Sequence, residues 1–85
     1  MADIRYSLTI SVEAREQLRT LPQDRRRQIG ERLSALQVNL AGDVKKLAGV
    51  EGRYRLRVGK YRILFRLEKQ VIEVYAVRDR KDAYE

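Results

Sequence analysis

The stretch RYRLRVGKYR, from Arg53 to Arg62, gathers the residues best suited to chemistry. Its arginines alternate, or nearly alternate, with apolar residues. A planar guanidinium forks onto phosphate oxygens and stacks on exposed bases, which a lysine ammonium cannot do. Arginine dominates the basic residues of the whole chain, fourteen against five lysines. The chain has no histidine and no cysteine. That removes the usual proton shuttle at neutral pH, most transition-metal sites, thiolate zinc sites and disulfides. Neither a metal nor a cofactor is expected.

The charge is unevenly spread. The net charge is +7, and nearly all of it falls in the second half of the chain. Residues 1–44 balance seven basic side chains against six acidic ones, and residues 45–85 carry twelve against six. A basic half on a small chain points to a polyanionic partner. A solvated basic surface is the simpler alternative. No apolar run approaches the roughly 20 residues that span a bilayer, and no signal-peptide core is present. A cytoplasmic protein is expected, with no membrane partner.

The hairpin around these arginines has a definite register. Gly59-Lys60 separates two alternating runs, and Gly at the first central position suits a two-residue type II′ turn. Val58 then faces Tyr61, Leu56 faces Ile63, and Tyr54 faces Phe65, all on one apolar face. The opposite face pairs Arg57 with Arg62, Arg55 with Leu64, and Arg53 with Arg66. Like charges directly opposite one another cost stability. Glu73 is expected opposite Arg66 if Lys69-Gln70 turns the next hairpin. No acidic residue is expected beside Arg55, Arg57 or Arg62. Tyr75 is expected on the same face, opposite Leu64, where it packs across the strands or offers a base a stacking surface. Arginines on an exposed sheet face can also serve only to keep it soluble.

The remaining segments must position this hairpin. Eighty-five residues imply one domain, 1–85, with modest burial. Ile4, Tyr6, Leu8 and Ile10 alternate as a strand over 4–10. Ser11 is a plausible N-cap, with Glu13 and Glu16 in the first turns. Val12, Ala14, Leu18 and Leu21 supply the apolar side of a short helix. Pro22 suits the first position of a second helix. Ile29, Leu33, Leu36 and Leu40 form its stripe. Gly30 costs that helix about 1 kcal/mol against Ala, which suggests close packing on the first helix. Ala41-Gly42-Asp43 ends it, and Lys45–Gly52 reads as a connection with Leu47 plugging the core. Strands follow at 53–58, 61–67 and 71–78. The order is β-α-α-β-β-β. The fold class is α+β in two layers, with two N-terminal helices on a mainly antiparallel four-stranded sheet.

With YRLRVGKYRILFR in place and VRDRKDAY near the end, the chain resembles the RelE/ParE toxin superfamily, on the RelE-like side. The match covers nearly the whole chain, including the LP between the helices and the KKLAG connection. The resemblance implies the RelE-like, microbial-RNase-like fold and a bacterial or archaeal type II toxin–antitoxin module. RelE-like members are ribosome-dependent endoribonucleases (mRNA interferases). They cut mRNA in the A site of a 70S-type ribosome and so inhibit translation. The mRNA 2′-hydroxyl attacks the adjacent phosphate in line, leaving a 2′,3′-cyclic phosphate and a 5′-hydroxyl. A cognate antitoxin is the implied protein partner, and operator DNA is reached only through the antitoxin complex.

Carried onto this chain, the family's catalytic positions are Arg57, Arg62, an arginine after the last strand, and Tyr84. Counting forward from the strand favours Arg80 for the third, and counting back from Tyr84 favours Arg78. Arg80 is preferred. Arg53, Arg55, Arg66, Arg78, Lys45 and Lys46 are the expected RNA contacts. Some members have lysines where this chain has Arg55 and Arg57, and arginine does not exchange protons near neutrality. Tyr84, with a reference pKa of about 10 that nearby cations would lower, is the expected general base. Two alternatives share the hairpin. One is a ParE-like DNA gyrase inhibitor without nuclease activity, and the other a catalytically inactive module that binds antitoxin or nucleic acid.

Overall fold

The computed structural model describes residues 2–79. Strand β1 (Ser7–Ile10) leads into helix α1 (Val12–Arg19) and helix α2 (Gln23–Leu36). Strands β2 (Val44–Lys46), β3 (Arg53–Val58), β4 (Tyr61–Glu68) and β5 (Val71–Asp79) follow. They form one five-stranded sheet in the order β1-β5-β4-β3-β2. The last four strands are antiparallel, and β1 lies parallel to β5. Both helices cover one face, α1 over β5 and α2 over β3. The class is the expected two-layer α+β.

The fifth strand is the main departure from expectation. Val44–Lys46 pairs with Leu56, Arg55 and Tyr54, where a connection was expected. Three residues are too few to show alternation. Val44, rather than Leu47, packs on the core from this segment, and Leu47 is only half-buried.

Local chemistry explains the helix boundaries. Ser11 caps α1 as expected, its Oγ accepting from the Ala14 N–H at 3.0 Å. Val12, expected on the apolar side, occupies the first turn and is 77% exposed. Pro22 is the N-cap of α2 rather than its first residue. That helix stops at Leu36, a turn before the apolar stripe ends. Asn39 and Leu40 adopt left-handed φ of 59° and 54°. Asn39 instead ties down the entering chain. Its N–H donates to the Ile4 carbonyl at 2.8 Å, and its Oδ1 accepts from the Ile4 N–H at 2.8 Å. Tertiary hydrogen bonds thus override the helical period. Gly30 is exposed, and a Cβ there would meet nothing within 4 Å, so it marks no close helix packing.

The core lies between the layers. Ile29, Leu33 and Leu36 of α2 and Ala14 of α1 meet Leu56, Val58, Tyr61, Ile63, Phe65, Ile72 and Val74 of the sheet. Tyr54 stacks on Phe65 with centroids 5.6 Å apart and planes 16° from parallel. Tyr6, Leu8 and Ile10 pack against the same cluster, whereas Ile4 is half exposed.

Candidate nucleic-acid interface

The face of the sheet turned away from the helices carries the arginines. The β3–β4 register agrees with the sequence reading at all of its pairs, with Arg57 opposite Arg62, Arg55 opposite Leu64 and Arg53 opposite Arg66. Gly59 supplies the turn with φ 59°, and Lys60 is not left-handed, as a type II′ turn requires. Gly59 therefore sets which arginines meet.

On the next pair, Arg62 lies opposite Arg78 and Arg66 opposite Glu73. Arg57, Arg62 and Arg78 thus form one row across three adjacent strands. Residues directly opposite in such a row have Cβ atoms about 4.5–5.5 Å apart, within the reach of one phosphodiester. In the neighbouring row, Lys45 pairs with Arg55 and Leu64 with Ala76. Lys46 pairs with Tyr54 and so has the phase of the helix-covered side. Of the expected RNA contacts, the fold gathers Arg53, Arg55, Arg66, Arg78 and Lys45 on the arginine face and leaves Lys46 off it. Arg80 and Tyr84 lie outside the described residues.

A β-bulge makes the row possible. The β4–β5 pairing slips by one residue between Leu64 and Phe65, so Phe65 faces Val74 and Leu64 faces Ala76. Tyr75 is the extra residue and is not opposite Leu64. It still emerges on the arginine face, where the Arg53 guanidinium lies 4.9 Å from its ring centroid. The phase slip is visible in VIEVYAVRD, where the apolar set moves from Ile72 and Val74 to Val77, and that signal could have located the bulge.

Among the described residues the face is only partly compensated. Glu73 Oε1 is 3.5 Å from Arg66 Nε. Asp43, just ahead of β2, corrects the expectation that no acid stands near the arginines. Its carboxylate lies 3.8 Å from both Arg55 Nη1 and Arg57 Nε. Its carbonyl accepts from the Arg57 N–H at 3.0 Å. These are long, partly exposed ion pairs and contribute little. The Nη1 atoms of Arg55 and Arg62 are buried and form no hydrogen bond among the described residues. Buried donors without acceptors are uncommon and call for an explanation, such as a bound anion.

Beside the row, at the end of β5, a cleft of ≈ 240 Å³ is lined by Gln17, Thr20, Leu21, Tyr61, Val77, Arg78 and Asp79. Lys60 Nζ pairs with Asp79 at 3.6 Å and stands 5.5 Å from the Tyr61 ring. No group of acidic residues among the described residues could hold a metal ion. No helix there is long and apolar enough to cross a membrane.

The fold is shared with known proteins. A chain of the archaeal RelE–RelB complex from Pyrococcus horikoshii OT3 superposes with a TM-score of 0.79 at 26% identity, covering 93% of this chain and 99% of that one. A chain of the RelB–RelE antitoxin–toxin complex from Methanococcus jannaschii gives 0.76 at 29% identity, covering 88% and 93%. The chromosomal ParDE system of P. aeruginosa gives 0.66 at 16% identity, covering 88% and 96%, a likeness of fold alone. No curated protein matches the sequence. The family model for the ParE toxin of type II toxin–antitoxin systems (parDE) matches residues 8–84. The chain therefore belongs to the ParE toxin family, within the RelE/ParE superfamily of type II toxin–antitoxin toxins.

Proposed function

We propose that this toxin is a ribosome-dependent endoribonuclease that cleaves mRNA by in-line attack of the 2′-hydroxyl. The observation that carries this reading is the row Arg57–Arg62–Arg78, three guanidinium groups in register across three adjacent strands. In the reaction the 2′-oxygen loses its proton and bonds to phosphorus. The bond from phosphorus to the 5′-oxygen breaks, and that oxygen takes up a proton from water. Arg57 and Arg62 clamp the non-bridging oxygens as negative charge builds in the phosphorane. Donors placed in this way typically contribute a factor of about 10²–10³ each. Arg78 extends the clamp across the sheet, Tyr84 takes the 2′-proton, and Arg80 stabilises the leaving oxygen.

This is a sparse acid–base set, so much of the rate must come from positioning. Effective-molarity gains supply roughly 7–11 kcal/mol when a second body holds the reactants in line. A ribosome presenting mRNA would be such a body. The complexes solved for the archaeal relatives pair RelE with RelB, which supports an antitoxin partner here. An acidic antitoxin segment would relieve the same arginines. Action on ribosomes places the protein in the cytoplasm.

The family model, described as a ParE toxin, favours a second reading, inhibition of DNA gyrase without nuclease activity. Primer extension on a reporter mRNA, with and without ribosomes, decides between them. New 5′ ends that appear only with ribosomes support the nuclease. Their absence, together with loss of supercoiling in a gyrase assay, supports the second reading.

A further inference from the structure

We propose that Gln17 and Ser11 are positioning residues that lock the β5 bulge and thereby hold Arg78 on the arginine face. The inference deepens the nuclease reading, because it rests on Arg78 contacting RNA phosphate.

Side chains along a strand alternate between faces, so a one-residue slip sends each of them to the opposite face. From Val71 to Val74 the β4–β5 ladder runs in one register, and from Ala76 to Asp79 it runs one residue out of step. Were the first register continued, Val77 would stand opposite Arg62 and Arg78 opposite Tyr61. Arg78 would then carry the helix-side phase, and the row would lose its third guanidinium. The bulge is therefore what selects which residue meets Arg62.

A bulge interrupts the ladder and leaves backbone groups to be satisfied elsewhere. Here the segment around α1 provides the partners. The Val77 N–H donates to Gln17 Oε1 at 2.6 Å, and Ser11 Oγ donates to the Tyr75 carbonyl at 3.4 Å. The Ser11 N–H donates to the Val74 carbonyl at 2.9 Å. Backbone groups on both sides of the extra residue are thus held from α1 and its cap. Gln17 and Val77 also both line the cleft beside Arg78. The bulged register keeps these bonds only while the two side chains offer them, whereas the continuous register would return Val77 to the ladder.

Three variants of the full chain test this by NMR and by binding to a single-stranded RNA oligonucleotide. Gln17→Met keeps length and removes the acceptor, while Gln17→Glu keeps an acceptor. Ser11→Gly keeps most of the cap, since glycine is tolerated there, and replaces Gln17→Met if that variant fails to fold. For Gln17→Met we expect the cross-strand contact between Arg62 and Arg78 to give way to one between Arg62 and Val77. Hydrogen exchange at the Val77 amide should quicken by about two- to tenfold, the equivalent of one lost hydrogen bond. The slope of log K against log salt should become shallower by about 0.7, one phosphate contact on a single strand. Gln17→Glu should restore all three. An unchanged Arg62–Arg78 contact in Gln17→Met, or in Ser11→Gly if that is the variant used, would overturn the proposal. The NMR contact is independent of RNA. Wild-type protein that shows no salt-dependent RNA binding would therefore count against the nuclease reading alone.

Discussion

Arg62 stands directly between Arg57 on β3 and Arg78 on β5, its Nη1 buried and without a hydrogen bond among the described residues. Three cations in register across a sheet work against folding. The arrangement makes sense if an anion completes it.

Removing the middle charge should therefore stabilise the free protein. Arg62→Gln is expected to raise unfolding free energy by about 0.2–1 kcal/mol, the range of a cross-strand pair. Urea denaturation would show this as a higher midpoint with an unchanged slope. A large loss of stability would mean that Arg62 is needed for packing instead.

Asp43 is the acid that partly offsets this charge, at 3.8 Å from Arg55 and Arg57. Asp43→Asn should cost less than about 1 kcal/mol of stability, because the carboxylate is 59% exposed. The same change should tighten binding to single-stranded RNA at low salt, with the gain fading as salt screens the face. Affinity titrations at two ionic strengths check it.

Gly42 places Asp43 and is far less replaceable than its position before a short strand suggests. Its φ is 129°, and a Cβ there would lie 2.9 Å from Leu56 Cδ1. Gly42→Ala should destabilise by about 2 kcal/mol or more, from backbone strain and crowding of a core leucine together. Thermal unfolding would reveal it as a fall in Tm.

Gly30 is the opposite case. It lies inside α2 with open space around it. Gly30→Ala should stabilise the protein by about 1 kcal/mol, a rise of roughly 4–8 °C in Tm for a chain of this size.

The contrast between these glycines shows what could be read from the residues. The hairpin was legible in full, because a two-residue turn and a period of two leave only one register. The Ser11 cap and the stripe Ile29, Leu33 and Leu36 were legible for the same reason, since their causes are local, whereas Leu40 was lost from it to tertiary hydrogen bonds. Gly30 was misread because space around a residue depends on the neighbouring helix. The strand Val44–Lys46 exists because β3 offers it a partner, and three residues carry no period of their own. The Tyr75 bulge left a phase slip in the apolar pattern, yet its satisfaction by Ser11 and Gln17 joins residues 64 and 60 positions apart. Asp43 meets the arginines only through that unexpected strand, so the partial compensation of the site was not visible either. The roles of Arg80 and Tyr84 rest on the family resemblance.

The most direct test of the central claim is single-turnover cleavage of mRNA on programmed ribosomes by wild-type toxin and Arg62→Ala. Ribosome-dependent cutting by the wild type is expected, with a loss of about 10²-fold or more in the rate of Arg62→Ala while that variant stays folded and no less stable. Cutting by Arg62→Ala at the wild-type rate, or no cutting by the wild type on ribosomes, would contradict it.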